Sequence, residues 1–163
     1  MLGNRQRRDP GRATRGATIL ATAGSERKLE RAQALGAHHL INYATENFAE
    51  RVLARSGGKG MEVIMEHVGE VFTRSLECLK TDGVLVTVGA HAGEVVTLDI
   101  IPFFRRQLRL VGSRNATVTE LRTVMGHVAE GALKPVVHAS FALAEAHRAV
   151  GSRDIFGKVL LLP

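Results

Sequence analysis

Thr22-Ala23-Gly24-Ser25, followed by Arg27 and Lys28, is the stretch whose residue types and spacing point most directly to ligand chemistry. It stands at the tip of an apolar run, the place where a parallel nucleotide-binding sheet meets an adenosine ribose. An Asp or Glu at such a tip holds a free ribose 2′-hydroxyl and would repel a 2′-phosphate. A hydroxyl and two cations, with no acid at the tip itself, suit the phosphate. The same residues have a plainer use, in which Ser25 caps a helix and Arg27 and Lys28 form its solvated face. Composition alone favours the plainer use.

The other chemistry-bearing residues carry less. Seven histidines show no metal-ligand spacing, since His38 and His39 are adjacent and the rest are scattered, so no metal site is expected. The single cysteine, Cys78, excludes a disulfide framework and a cysteine-based zinc site, and it reads as a small buried hydrophobe within a helix. Ser56-Gly57-Gly58-Lys59-Gly60 has the glycines of a phosphate loop in the wrong context. That fingerprint follows a strand and opens a helix, whereas this loop follows a helix and precedes a strand. It is a turn, and no catalytic residue can be assigned.

The elements that position these residues follow from periodicity. Ala17–Ala23 is short, continuous and apolar, as in a strand buried on both faces. Ser25 caps a helix with Glu26 in its first turn and Leu29, Ala32 and Leu35 on one face; Gly36 stops it. His39–Tyr43 returns as strand, completing a βαβ unit. Thr45 caps a helix over 46–56 with Phe48, Val52 and Leu53 inward. A strand Glu62–Val68 is followed by a helix over about 70–80 with Val71, Leu76 and Leu79 as anchors, a turn at Asp82-Gly83, and a strand Val84–Val88. Beyond lie a short strand Glu94–Leu98, a helical turn Pro102–Arg106 and a strand Leu108–Gly112. Thr117 and Glu120 form a capping box opening a helix to about Gly131. A strand over 135–141, a helix Leu143–Val150 and a last strand over 157–162 close the chain. Strands alternating with helices indicate an α/β, doubly wound, mostly parallel sheet.

With the elements in order, GATILATAGSERKLERAQALGAHHLINY, MEVIMEHVG, LKTDGVLVTVGA, LRLVGS and FGKVLLLP together resemble the medium-chain dehydrogenase/reductase family. Within this zinc-type alcohol dehydrogenase-like family, the nearest likeness is to the zinc-independent NADPH quinone oxidoreductases. The resemblance covers roughly residues 12–163. It implies a Rossmann-like domain that binds NADP(H) for hydride transfer to quinones or related enones and carbonyls. By the same resemblance Gly24, Ser25 and Lys28 match the turn around the 2′-phosphate, and Tyr43 a tyrosine beside it. His67, Val68 and Gly69 stand at a strand's carboxyl end, where relatives often carry Asp-x-Val-Gly. His67 faces the adenosine side of the cofactor or is a satisfied strand-end histidine. Val88, Gly89 and His91 match the segment by the nicotinamide, and Arg153 and Lys158 a basic segment that returns towards the cofactor or lies in solvent.

The resemblance further implies a Rossmann-like sheet lacking the first strand and the glycine-rich diphosphate loop, because MLGNRQRRDPGRA stands in their place. Residues 1–15 hold five arginines against Asp9, +4 of the chain's +6, and are expected to be a disordered basic arm. Residues 16–163 form the truncated cofactor domain. The chain alone is then expected to bind cofactor weakly and to have little or no activity. A homodimer is expected through the sheet edge 94–112, with Ile100, Ile101 and Phe103 near it. A non-catalytic dimerisation module is the alternative, and nucleic-acid binding through the arm ranks below both. No apolar run approaches the ~20 residues of a membrane span, and no signal peptide is evident, so a cytoplasmic setting is expected.

Overall fold

The computed structural model describes residues 17–69, 71–89, 95–150 and 155–163. The basic segment 1–15 and the candidate residues His91 and Arg153 lie outside the described residues. The chain divides into two compact units, the first ending at Ala116 and the second spanning Thr117–Pro163 apart from residues outside the described set.

In the first unit, β1 (Leu20–Ala23), α1 (Glu26–Ala34) and β2 (His39–Asn42) form the expected βαβ crossover, with β1 and β2 parallel and Leu20 paired to His39. Gly36 terminates α1 at φ 95°, a left-handed conformation favouring glycine. Its N–H donates to Gln33 O and that of Ala37 to Ala32 O, closing the helix end. Leu29 and Ala32 are buried, but Leu35 is exposed, because it caps the helix and no longer follows its inner face. β1 begins at Leu20, three residues later than the apolar run suggests.

In helix α2 (Phe48–Arg55) the N-cap position falls to Asn47 and not Thr45, and the Asn47 side chain makes no capping bond. The cause is local: Thr45 and Glu46 N–H groups both donate to Asn42 O, folding Thr45 into the turn that ends β2. Phe48, Ala49 and Val52 are buried and Leu53 half-buried.

The second ladder of this unit runs β3 (Met61–Glu66), β4 (Leu79–Thr87), β5 (Arg109–Gly112), all parallel. Its connecting helices are α3 (Phe72–Glu77) and α4 (Ile100–Arg105). The helix α3 is shorter than expected, since Leu79 already pairs with Met61. Cys78 therefore stands at its C-cap. Asp82, at φ 61°, and Gly83 make a kink within β4 where the register to β3 shifts, and no separate turn divides the strand. Of the strand expected over Glu94–Leu98, residues 95–98 have no ladder partner among the described residues and lead into α4, whose first turn is capped by Asp99 accepting from Ile101 N.

One apolar core joins the two ladders, running from Ile41 of β2 through Phe48 and Val52 to Ile64, Phe72, Leu76, Leu79, Leu85 and Leu108. Among the described residues β1 pairs only with β2, and β3 only with β4, in keeping with the expected α/β, mostly parallel arrangement. Strand one of a doubly wound sheet is the one that would lie between them.

The second unit holds α5 (Val118–Ala129), β6 (Val137–Ala142), a 3₁₀ turn Leu143–Glu145, α6 (Ala146–Val150) and β7 (Lys158–Leu162). The capping box is as expected: Thr117 Oγ1 accepts from Glu120 N, and Glu120 accepts from Thr117 N. β6 and β7 form a parallel pair. No helix among the described residues is long and apolar enough to cross a membrane.

Candidate functional site

The carboxyl ends of β1 and β2 bring Gly24, Ser25, Lys28 and Tyr43 together. Because Gly36 turns the chain back in parallel, Tyr43 follows β2 directly beside the end of β1, and its N–H donates to Ala23 O at 3.1 Å. The phenol lies over Gly24: a Cβ built there would stand 3.0 Å from Tyr43 Oη. Gly24 is thus needed for close approach, with Tyr43 half-exposed above it.

Ser25 occupies the N-cap of α1 in extended conformation, and its carbonyl accepts from Lys28 N and Leu29 N. Its side chain makes no capping bond. The Ser25 hydroxyl is buried and has no hydrogen-bond partner among the described residues. A buried hydroxyl without a partner is costly, and one at a helix N-terminus is well placed to donate to an anion. Lys28, half-buried, follows one helical turn on.

The acid next to the tip, Glu26, is engaged elsewhere. Asn42 Nδ2 donates to Glu26 Oε1 at 2.6 Å, while Asn42 Oδ1 accepts from Ala44 N. Asn42 N donates to Glu46, and this bond, together with the Arg51 guanidinium, holds the Glu46 carboxyl below the usual carboxylate range.

A second group forms at the ends of β3 and β4. Its centre is Glu66, fully buried, whose Oε1 accepts from Val68 N at 2.7 Å and from Gly69 N at 3.0 Å, with Oε2 also 3.0 Å from Gly69 N. Glu66 O accepts from Val88 N at 3.2 Å, tying the two strand ends together. His67 and Val68 are half-buried in this turn, Gly69 has φ 89°, Val88 is exposed and Gly89 half-buried. Sequence reasoning passed over Glu66 in favour of His67. The available signal was an acid at a strand end three residues before a glycine.

The remaining candidates do not join these groups. Lys158 opens β7 in the second unit, exposed, with its N–H bonded to Val136 O. The Ser56–Gly60 loop is a turn built on itself: Ser56 Oγ donates to Leu53 O and accepts from Gly60 N. Burial and the nearby Glu77 push the Cys78 thiol up to about 12. Against an ordinary value of 9.0 that leaves ~1000-fold less thiolate at neutral pH, since each pKa unit is a factor of ten. Cys78 in the native chain should accordingly resist Ellman's reagent and react at the rate of unfolding; rapid labelling without denaturant would contradict its placement. Among the described residues no group of three or more His, Cys, Asp or Glu could hold a metal ion.

Comparison with known proteins agrees with this architecture. A 2-haloacrylate reductase from a Burkholderia species is 32% identical over 162 residues, covering 91% of this chain and 49% of that protein. A solved NAD-dependent alcohol dehydrogenase superposes with a TM-score of 0.82 at 39% identity, over 91% of this chain and 44% of that one. The Escherichia coli quinone oxidoreductase, solved with NADPH, gives 0.75 at 29% identity, over 91% and 50%. The chain spans about half the length of the curated relatives it matches. These relatives are oxidoreductases, and the α/β fold is the Rossmann-like domain of such enzymes. Residues 13–130 match the zinc-binding dehydrogenase family, and the chain belongs to that family.

Proposed function

We propose that this chain is the cofactor-binding portion of an NADP(H)-dependent oxidoreductase that passes hydride to a quinone or a related enone or carbonyl. The observation that carries the cofactor assignment is the buried, unpartnered Ser25 hydroxyl at the end of β1, between the Tyr43 ring over Gly24 and the first turn of α1. Those residues fit a ribose 2′-phosphate: Ser25 donates to it, Lys28 neutralises it and Tyr43 covers the adenosine side. The relatives differ in their named cofactor, one NAD-dependent and one solved with NADPH, so the tip residues decide the choice here. When bound, NADPH supplies the hydride. At the ends of β3 and β4, tied together by the Glu66 bonds to Val68 N and Val88 N, His67 faces the adenosine side with Val68 next to it, and Val88 and Gly89 face the nicotinamide, with His91 and Arg153 carried as further candidates from the family. The quinone assignment follows the quinone oxidoreductase relatives, and activity of this chain alone is weak or nil. The cytoplasm is the setting that fits such chemistry.

Calorimetric titration of wild type and Lys28→Ala with NADPH and NADH tests the reading. Loss of one charge-assisted contact in a half-buried setting should weaken NADPH about tenfold and NADH less than about twofold. An equal loss for both cofactors would falsify the 2′-phosphate assignment.

The proposed assembly is a homodimer through β5 and its approach. Ile100, Ile101 and Phe104 of α4 and Leu110 and Val111 of β5 are all exposed, and Phe103 alone of this group packs on the core. Among the described residues β5 is paired on one side only, to β4, and an open edge with apolar flanks is a template for a second chain. The alternative, a dimerisation module without catalysis, shares this surface. Light scattering at ~10 μM should give twice the chain mass; a monomer there contradicts both.

A further inference from the structure

We propose that Asn42 is a positioning residue for cofactor choice: by holding the Glu26 carboxylate, it keeps the Ser25 hydroxyl and the first turn of α1 available to a 2′-phosphate. This role rests on the 2′-phosphate reading above and adds the residue that enforces it. Glu26 is an unfavourable neighbour for such a ligand. It follows Ser25 directly, opens α1 and is exposed. A carboxylate in the first turn of a helix is drawn to the same positive potential that would bind a phosphate. Left free, it would repel the phosphate and accept from the Ser25 hydroxyl, the donor that the phosphate would use. Instead Ser25 Oγ has no hydrogen-bond partner among the described residues, and Glu26 Oε1 accepts from Asn42 Nδ2 at 2.6 Å.

Asn42 is itself held firmly enough to do this. It ends β2 opposite Ala23 and is only 7% exposed, so water competes little for its amide. Its Oδ1 accepts from Ala44 N at 3.1 Å, which fixes the amide so that Nδ2 is the atom presented to Glu26. Its N–H donates to Glu46 Oε1 at 3.0 Å, and its carbonyl accepts from Thr45 N and Glu46 N, so the backbone is held as well. The other carboxylate here, Glu46, is paired with Arg51 at 2.6 Å. A role confined to the turn after β2 would need only the Ala44 bond. The bond to Glu26 reaches across 16 residues to another element and ends beside the Ser25 hydroxyl's own residue. Aspartate at 42 would keep the Ala44 bond and repel Glu26; leucine would fill the volume, add no charge and hold neither group.

The full chain, its Asn42→Asp, Asn42→Leu and Glu26→Gln variants, and each Asn42 variant combined with Glu26→Gln are titrated calorimetrically. The ligands are adenosine 2′,5′-bisphosphate and adenosine 5′-monophosphate. Each Asn42 variant should lose at least about fivefold for the bisphosphate and less than about twofold for the monophosphate. Adding Glu26→Gln should bring the bisphosphate back to within about twofold of wild type, a rescue that a merely structural Asn42 would not show. Glu26→Gln alone alters an exposed side chain that is already held, and should change either affinity by less than about twofold. Equal losses for both nucleotides, no rescue by Glu26→Gln, or a bisphosphate tightened beyond about twofold by Glu26→Gln alone each overturns the proposal. Should neither Asn42 variant fold, the Glu26→Gln result decides. A wild type that binds both nucleotides equally refutes the 2′-phosphate reading itself. A wild type that prefers the bisphosphate, beside Asn42 variants that keep that preference, overturns the role of Asn42 alone.

Discussion

Replacing Glu66 by alanine should cost about 3–5 kcal/mol of folding stability, because two backbone donors lose a carboxylate acceptor in a buried turn. Glu66 is 0% exposed, and its oxygens receive the N–H groups of Val68 and Gly69. Alanine leaves both donors unpaired and empties the volume the side chain fills. Glutamine retains one carbonyl acceptor and should recover more than half of the loss. Set against a total of ~5–15 kcal/mol for a folded domain, the alanine variant lies near the limit of folding. Urea denaturation followed by circular dichroism measures both variants. A loss below about 1 kcal/mol for Glu66→Ala would mean that the turn after β3 does not depend on the carboxylate.

Gly60→Ala should be the second severe change, and its loop neighbours supply the comparison. Gly57, Gly58 and Gly60 all have positive φ, so alanine at any of them meets the left-handed penalty of about 1–2 kcal/mol. At Gly57 and Gly58 an added Cβ meets nothing within 4 Å. At Gly60 it would stand 2.7 Å from Cys78 O and from the carbonyl of Leu79, backbone atoms that cannot swing aside. Overpacking adds about 1–3 kcal/mol, for a sum of roughly 2–5 kcal/mol at Gly60 against about 1–2 at the other two. The site of the clash is the junction where Cys78 ends α3 and Leu79 begins β4, so melting should lose cooperativity there first. Equal effects at all three glycines would show that backbone conformation alone sets the cost. A loss of nucleotide binding without a loss of stability would instead point to a phosphate loop.

The βαβ unit was legible because its signals are local and agree: an apolar strand, a helical stripe in Leu29 and Ala32, and Gly36 where the chain must turn left-handed. The capping box at Thr117 was legible for the same reason. What escaped sequence reading depended on competition between local bonds. Ser25 takes the N-cap position, yet its hydroxyl caps nothing and has no partner among the described residues, which residue type and spacing do not signal. Thr45 lost the cap of α2 to Asn47 once Asn42 O had captured the preceding turn. Residues 95–98 have strand-like composition but no ladder partner among the described residues, and β propensity forms no strand without one. Glu66 was hidden because an acid in an apolar strand has no periodic signature; its meaning lies in donors two and three residues further on. Arg106 is a similar case. Its guanidinium donates to the carbonyls of Leu76, Glu77 and Leu79, closing the end of α3 from the end of α4.

The central claim is that the end of β1 recognises a ribose 2′-phosphate, and a titration that omits the diphosphate and nicotinamide halves tests it most directly. Amide and side-chain resonances of the labelled full chain are followed while adenosine 2′,5′-bisphosphate is added, with adenosine 5′-monophosphate as the reference. The account predicts saturable shifts at Gly24, Ser25, Lys28 and Tyr43 with the bisphosphate, at least about tenfold tighter than with the monophosphate. Equal affinities, or shifts that leave Ser25 and Lys28 unmoved, would contradict it.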